Sequence, residues 1–188
     1  MVFMVLLGLV VLVAVWAIAT YNRLIGLRNQ VGNGWRQIDV QLKRRHDLIP
    51  NLVNTVKGAM DFEKNTLEAV ISARNRAVNA TGVANTAKAE GELSQALGRL
   101  FALTESYPDL KATGNVAQLQ EELTGTENKI GFARQLYNDT ATLYNTRQQQ
   151  FPTALVAGMA GARPAELWEI TDETERGVPK IDLSMKKP

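Results

Sequence analysis

A single histidine, His46, stands in the run Lys43-Arg44-Arg45-His46-Asp47, and the chain has no cysteine. Those two facts limit the chemistry available. A di-iron helical bundle needs a Glu-x-x-His pair on each of two helices, and no Glu precedes His46 by three. Zinc lacks ligands for the same reason. A Ser-His-Asp triad would have to recruit His46, and no strand-turn-helix nucleophile elbow accompanies it. His46 reads instead as a solvated or capping residue beside Asp47. In "GLRNQVGNG", Gly26, Gly32 and Gly34 lack the G-x-G-x-x-G order, and Lys57-Gly58 reverses the Gly-Lys order of a phosphate loop. These glycines read as loosening a helix or allowing close helix contact. The chain is therefore expected to be no enzyme, with no catalytic, cofactor or metal residue.

Binding residues are better represented. The basic run Lys43, Arg44 and Arg45 lies more than 20 residues beyond Tyr21. On a straight helix that is over roughly 30 Å, several times the roughly 8 Å Debye length. It therefore reads as a solvated face or as a contact for an acidic partner or neighbouring subunit. Tyr137 and Tyr144 read as core residues with hydroxyls on polar partners, or as part of that contact. The formal net charge of +2 is too mild for a nucleic-acid partner.

The elements that must position these residues begin with "MVFMVLLGLVVLVAVWAIATYN", residues 1–22, which carries no charge. It is long enough to cross a bilayer as a helix. Ala17-Ile18-Ala19 resembles a signal-peptide cleavage site, but no basic residue precedes the apolar run and the run exceeds a usual h-region. Trp16 and Tyr21 stand at aromatic-belt positions, and Arg23 and Arg28 follow as lipid-headgroup residues. The positive-inside rule then places the remainder in the cytoplasm, under a single-pass inner membrane anchor of a bacterial cell.

Beyond the anchor, Val31, Trp35, Ile38, Leu42, Arg45, Ile49, Leu52 and Val56 alternate three- and four-residue steps. The phase is unbroken across Pro50, which predicts a bent but continuous helix whose carbonyl near residue 46 is free for another partner. An alternative makes Asp47 an N-cap, with Pro50 in the first turn. The pattern runs on through Met60, Leu67, Val70 and Ile71, then dissolves in the link "NATGVANTAKAEG". A second helix, roughly 86 to 107, carries Leu93, Leu97, Leu100, Phe101 and Leu103 before Pro108 and Gly114 stop it. The longest seam follows: Val116, Leu119, Leu123, Thr126, Ile130, Ala133, Tyr137, Thr140, Tyr144, Arg147 and Phe151. Polar members of these seams, Arg45, Thr126, Thr140 and Arg147, are of the kind that fix register or oligomer state.

Short links make neighbouring helices antiparallel, so the predicted fold class is all-α. A transmembrane helix over 1–22 leads into an antiparallel up-and-down bundle of three to four long helices over 23–151, bent near Pro50. Residues 152–170 are expected to close the bundle end with a short helix from near Pro164, using Leu167, Trp168 and Ile170. The polar stretch 171–188 is expected to be extended or disordered.

The run "YNRLIGLRNQVGNGWRQIDVQLKRRHDLIPNLVNTVKG" resembles the opening of the LemA family. "ENKIGFARQLYNDTATLYNTRQQQFP", with Tyr137-Asn138, Tyr144-Asn145 and Phe151-Pro152, resembles its other hallmark, and the likeness extends to "VPKIDL". Ala59, Ala162 and Trp168 depart from residues common in the family. The resemblance implies a membrane-anchored antiparallel helical bundle without an established enzymatic role, and membrane organisation is a family-level analogy. Two functions follow as expectations. One is a self-associating homo-oligomeric scaffold that organises or remodels membrane lipids; the other is an adaptor for a membrane protease, transporter or envelope enzyme.

Overall fold

A computed structural model describes residues 1–57, 63–107, 110 and 114–169. Within them lie five helices and no strand: α1 (Val2–Lys57), α2 (Lys64–Asn79), α3 (Val83–Thr104), α4 (Gly114–Gln149) and α5 (Thr153–Met159). α1 is one helix of 56 residues, about 84 Å long. Its apolar first part, long enough to cross a bilayer, is exposed or at most half-buried through Arg23, and Leu24 is its first buried residue. From there Leu24, Leu27, Val31, Gly34, Ile38, Leu42, Arg45, Ile49, Leu52 and Val56 are buried at three- and four-residue steps. That stripe faces the bundle.

α1 passes through Asp47 and Pro50 without interruption. Asp47 is an exposed mid-helix residue and caps nothing, which removes the alternative start. Pro50 cannot donate to the carbonyl of His46. Arg74 Nε of α2 donates to that oxygen instead, at 3.2 Å.

The chain reverses after Lys57, so the pattern expected to continue along the first helix belongs to α2. There Leu67, Val70, Ala73 and Ala77 are buried, whereas Ile71 faces solvent. Met60 lies outside the described residues. The expected link shrinks to the turn around Ala80–Gly82, where Gly82 takes a positive φ of 80° that favours glycine. The small residues after it start α3 and turn Thr86, Ala87 and Ala89 inward.

Helix α4 runs antiparallel to α1 along its length: Gly34 lies opposite Tyr137, and Arg45 opposite Glu127. α2 runs back along the distal half of α1, and α3 runs out again beside Arg45 and His46. The order is up-and-down, and two apolar clusters result. A distal one joins Ile49, Leu52, Val56, Val70, Leu93, Leu100, Leu110 and Leu123; a proximal one joins Leu24, Ile38, Leu42, Ile130, Tyr137, Tyr144, Ala157 and Trp168.

The second half of α4 departs from the expected seam. Ala141 and Gln148 are buried in place of Thr140 and Arg147, which are half-buried, and Phe151 is 83% exposed. A straight helix drifts about 20° per heptad against a 3.5-residue repeat, so the inward row advances by one position after Tyr137.

The bundle end is also rearranged. Its short helix is α5, before rather than after Pro164, and residues 162–169 follow as a strap that is neither helix nor strand. Gly161, at φ 59°, ends α5: Ala162 N–H donates to Ala157 O at 3.0 Å and Gly161 N–H to Gly158 O at 3.2 Å. That pairing satisfies carbonyls of the last turn and releases the chain from the helix. Leu167 is half-buried and Trp168 buried; Ile170 and 171–188 lie outside the described residues.

Candidate functional site

Between the two apolar clusters sits a buried polar hub. Arg45, 4% exposed, donates from Nη1 to Glu90 Oε2 at 3.2 Å and pairs with Glu127 at 2.9 Å, while its Nη2 reaches Ser94 Oγ at 2.8 Å. His46 Nε2 donates to Glu90 Oε1 at 2.5 Å. One carboxylate therefore holds two adjacent α1 side chains. With Arg74 on the His46 carbonyl, residues from all four long helices meet at one level. Here the structure corrects the reading of His46 as a solvated or capping residue. At 9% exposed it needs a hydrogen-bond partner to offset desolvation, and Glu90 supplies it. Arg45, too, is spent inside the chain, whereas Lys43 and Arg44 remain on the surface. Arg44 makes only a loose 4.0 Å pair with Glu122.

The Tyr-Asn steps build a second constellation. Asn145 Nδ2 donates to Ala165 O and Asn145 Oδ1 accepts from Ala165 N–H, both at 2.8 Å. Asn138 does the same for Trp168, with Nδ2 to the carbonyl at 2.9 Å and N–H to Oδ1 at 2.8 Å. Each amide thus pairs with both backbone groups of one residue of the strap 162–169, as a neighbouring strand would. The spacing fits: seven helical residues rise about 10.5 Å, and three extended residues span about 10 Å. Tyr137 donates from its hydroxyl to Glu166 O at 2.6 Å. Its ring stands edge-on to Trp35 at 5.6 Å, and Trp35 lies 5.9 Å from Trp168, over which Arg134 is placed at 5.7 Å. Burial, then the nearby Glu166 carboxylate, raises the Tyr137 pKa above its ordinary value of 10.0. Tyr137 and Tyr144, each 3% exposed, are therefore internal rather than offered to a partner. The strap takes the place that α2 and α3 fill in the distal half.

Of the expected lipid residues, Tyr21, Arg23 and Arg28 are exposed and Trp16 is half-buried. Gly34 allows a close approach, since a Cβ there would sit 3.3 Å from Tyr137 Cα, whereas Gly26 and Gly32 face open space. Sequence reasoning missed Glu90, although Thr86, Glu90, Leu93, Leu97, Leu100 and Thr104 form an unbroken row at steps of three and four. It also missed the strap, whose only advance signal is the seven-residue repeat of Tyr-Asn.

A shallow groove of about 640 Å³ runs between α1 and α4, bordered by Val40, Gln41, Phe132 and Leu136. Val40 is 63% exposed and Phe132 75%. Gln41 Oε1 is buried there without a hydrogen-bond partner among the described residues. No group of three or more His, Cys, Asp or Glu residues able to hold a metal occurs among the described residues.

The LemA family profile matches residues 34–183. Protein LemA of Metamycoplasma hominis is 29% identical over 138 residues, which cover 72% of this chain and 63% of that protein. Magnetosome protein MamQ 2 of Paramagnetospirillum magneticum is 31% identical over 81 residues, 43% of this chain and 30% of its own length. Magnetosome protein MamQ of Magnetospirillum gryphiswaldense is 30% identical over 78 residues, 42% and 29% of the two chains. The matches span less than two thirds of the length of each of these relatives. With a profile that covers both the hub and the Tyr-Asn strap lock, the chain belongs to the LemA family.

Proposed function

We propose that this protein is a membrane-anchored structural element that self-associates side by side to organise or remodel the membrane that holds it. The observation that carries this reading is the groove between α1 and α4. It presents large exposed apolar side chains, Val40, Phe132 and Leu136. Such an apolar surface gains from being covered. α1 continues unbroken from the anchor into one wall of the groove, so the groove stands upright from the membrane and faces sideways. A copy in the same bilayer is held at the matching height by its own anchor. The magnetosome names of the relatives support a role in membrane organisation by analogy. The reading includes a bacterial cell membrane location with the bundle on the cytoplasmic side, supported by Arg23 and Arg28 after the apolar run.

Native mass spectrometry of the protein extracted gently from membranes tests it. A large single-component assembly that Phe132→Glu reduces to single chains is the expected result. An assembly indifferent to that substitution, or single chains throughout, overturns it. The adaptor reading is favoured by one feature, the exposed Lys43 and Arg44 pair. Stoichiometric capture of a different, acidic protein, lost in Lys43→Glu/Arg44→Glu, would replace self-association with that role.

A further inference from the structure

The antiparallel register of α1 and α4 fixes the height of every residue near the anchor. With Gly34 opposite Tyr137, eleven residues along each helix bring Arg23 level with Gln148. Helix α4 therefore ends where the apolar anchor ends. The chain next returns to a known height at Ala165, held on Asn145, and the strap then descends to Trp168 on Asn138, away from the membrane. Residues 150–164 leave and re-enter at the level of the anchor's exit. They form the membrane-facing end of the bundle.

That segment contains α5, which packs against α1. Its Val156 and Ala157 are buried, and Ala157 belongs to the same cluster as Leu24 and Leu27. On the same α1 face the anchor residues Trp16, Ala17 and Thr20 are half-buried while their neighbours are exposed. The opposite face of α5 is bare and apolar. Leu155 is 64% exposed and Met159, four residues on, 90%, while Phe151, just before the helix, is 83% exposed. Between Arg147 and Arg163 no residue is charged.

We propose that α5 and the preceding Phe151 form a second membrane contact, lying in the headgroup and upper acyl region of the same leaflet from which the anchor emerges. An uncharged, one-sided apolar helix at that height is an interfacial element by its physics, and Arg147 and Arg163 flank it as headgroup contacts. The occupant of this face is lipid, argued from its continuity with the spanning helix. With anchor and α5 both in the bilayer, the bundle is held by two points and has a fixed tilt. This contact differs from the groove around Phe132, which lies on the outer wall of the bundle.

The chain has no native cysteine, so single cysteines at Leu155 and Met159 can carry an environment-sensitive fluorophore. The full-length protein is reconstituted at one copy per lipid nanodisc. Probes at both positions are expected to show blue-shifted emission and quenching by lipids brominated near the headgroup end of the acyl chain. A probe at exposed Gln120, near the distal start of α4, serves as the aqueous reference. Emission at 155 and 159 equal to that reference would overturn the proposal. So would a blue shift seen only when several copies share a disc, because protein would then cover the face. Either result is independent of whether Phe132 mediates assembly.

Discussion

Asn138 binds both backbone groups of Trp168, donating to its carbonyl at 2.9 Å and accepting from its N–H at 2.8 Å. Trp168 is 4% exposed, so losing this amide leaves two backbone groups to find other partners or drag the indole out of the core. Net hydrogen bonds contribute about 1 kcal/mol each, and stranded buried groups cost more. Asn138→Ala should therefore destabilise the protein by about 2–4 kcal/mol. Red-shifted tryptophan emission with unchanged far-ultraviolet circular dichroism would show the strap released from an intact bundle. Asn138→Asp should behave similarly, because a carboxylate accepts from the N–H but repels the carbonyl.

The hub makes a sharper prediction. Arg45 is the cation between Glu90, which is buried, and Glu127, whose side chain is 46% exposed. Arg45→Met leaves the buried Glu90 carboxylate with only His46 of its two α1 partners and should cost about 3 kcal/mol in thermal or denaturant unfolding. Adding Glu90→Gln removes the uncompensated charge and should recover part of that loss, so the two effects are non-additive. Glu127→Gln alone should cost under about 1 kcal/mol, since water already screens that carboxylate.

Pro50 and Arg74 form a linked pair through the His46 carbonyl. Pro50→Ala restores a helical donor for that oxygen and should preserve helicity while freeing Arg74. In wild type, Arg74→Ala leaves the carbonyl without that donor; in the Pro50→Ala background the same change costs less. A double-mutant cycle by denaturant unfolding should give a coupling energy of about 0.5–1.5 kcal/mol. Strict additivity would refute the link, and wholesale loss of circular dichroism in Pro50→Ala would show that the proline shapes more than this contact.

Much of the architecture was legible because hydrophobic spacing and burial obey one physical rule. The α1 stripe from Val31 to Val56 kept phase across Pro50, and the carbonyl expected to be freed near residue 46 is the one that Arg74 takes. Less legible were features that depend on which helix meets which. Glu90 looks like any surface carboxylate until its row, Thr86 to Thr104, is laid against Arg45 and His46. The strap 162–169 has no periodicity of its own, and its conformation is imposed by Asn138 and Asn145 on another element. The shift from Thr140 to Ala141 reflects a straight helix overruling a heptad reading.

Tyr137 gives the strap a response to alkaline pH. Its neutral hydroxyl donates to Glu166 O at 2.6 Å, and burial followed by the Glu166 charge raises its pKa in the folded state. In the unfolded chain the phenol ionises near the ordinary value of about 10. Below that pH both states hold the proton and the hydrogen bond's contribution is complete. As pH rises past about 10, the unfolded chain releases the proton first, so folding loses stability until the raised native value is passed. The difference in stability between wild type and Tyr137→Phe should thus be about 1 kcal/mol at neutral pH and fall as pH climbs above 10. Measuring both proteins at each pH cancels the titration of other groups. A difference that stays flat from pH 8 to 11 would mean that the phenol titrates alike in both states, and that its bond to the strap confers no pH dependence.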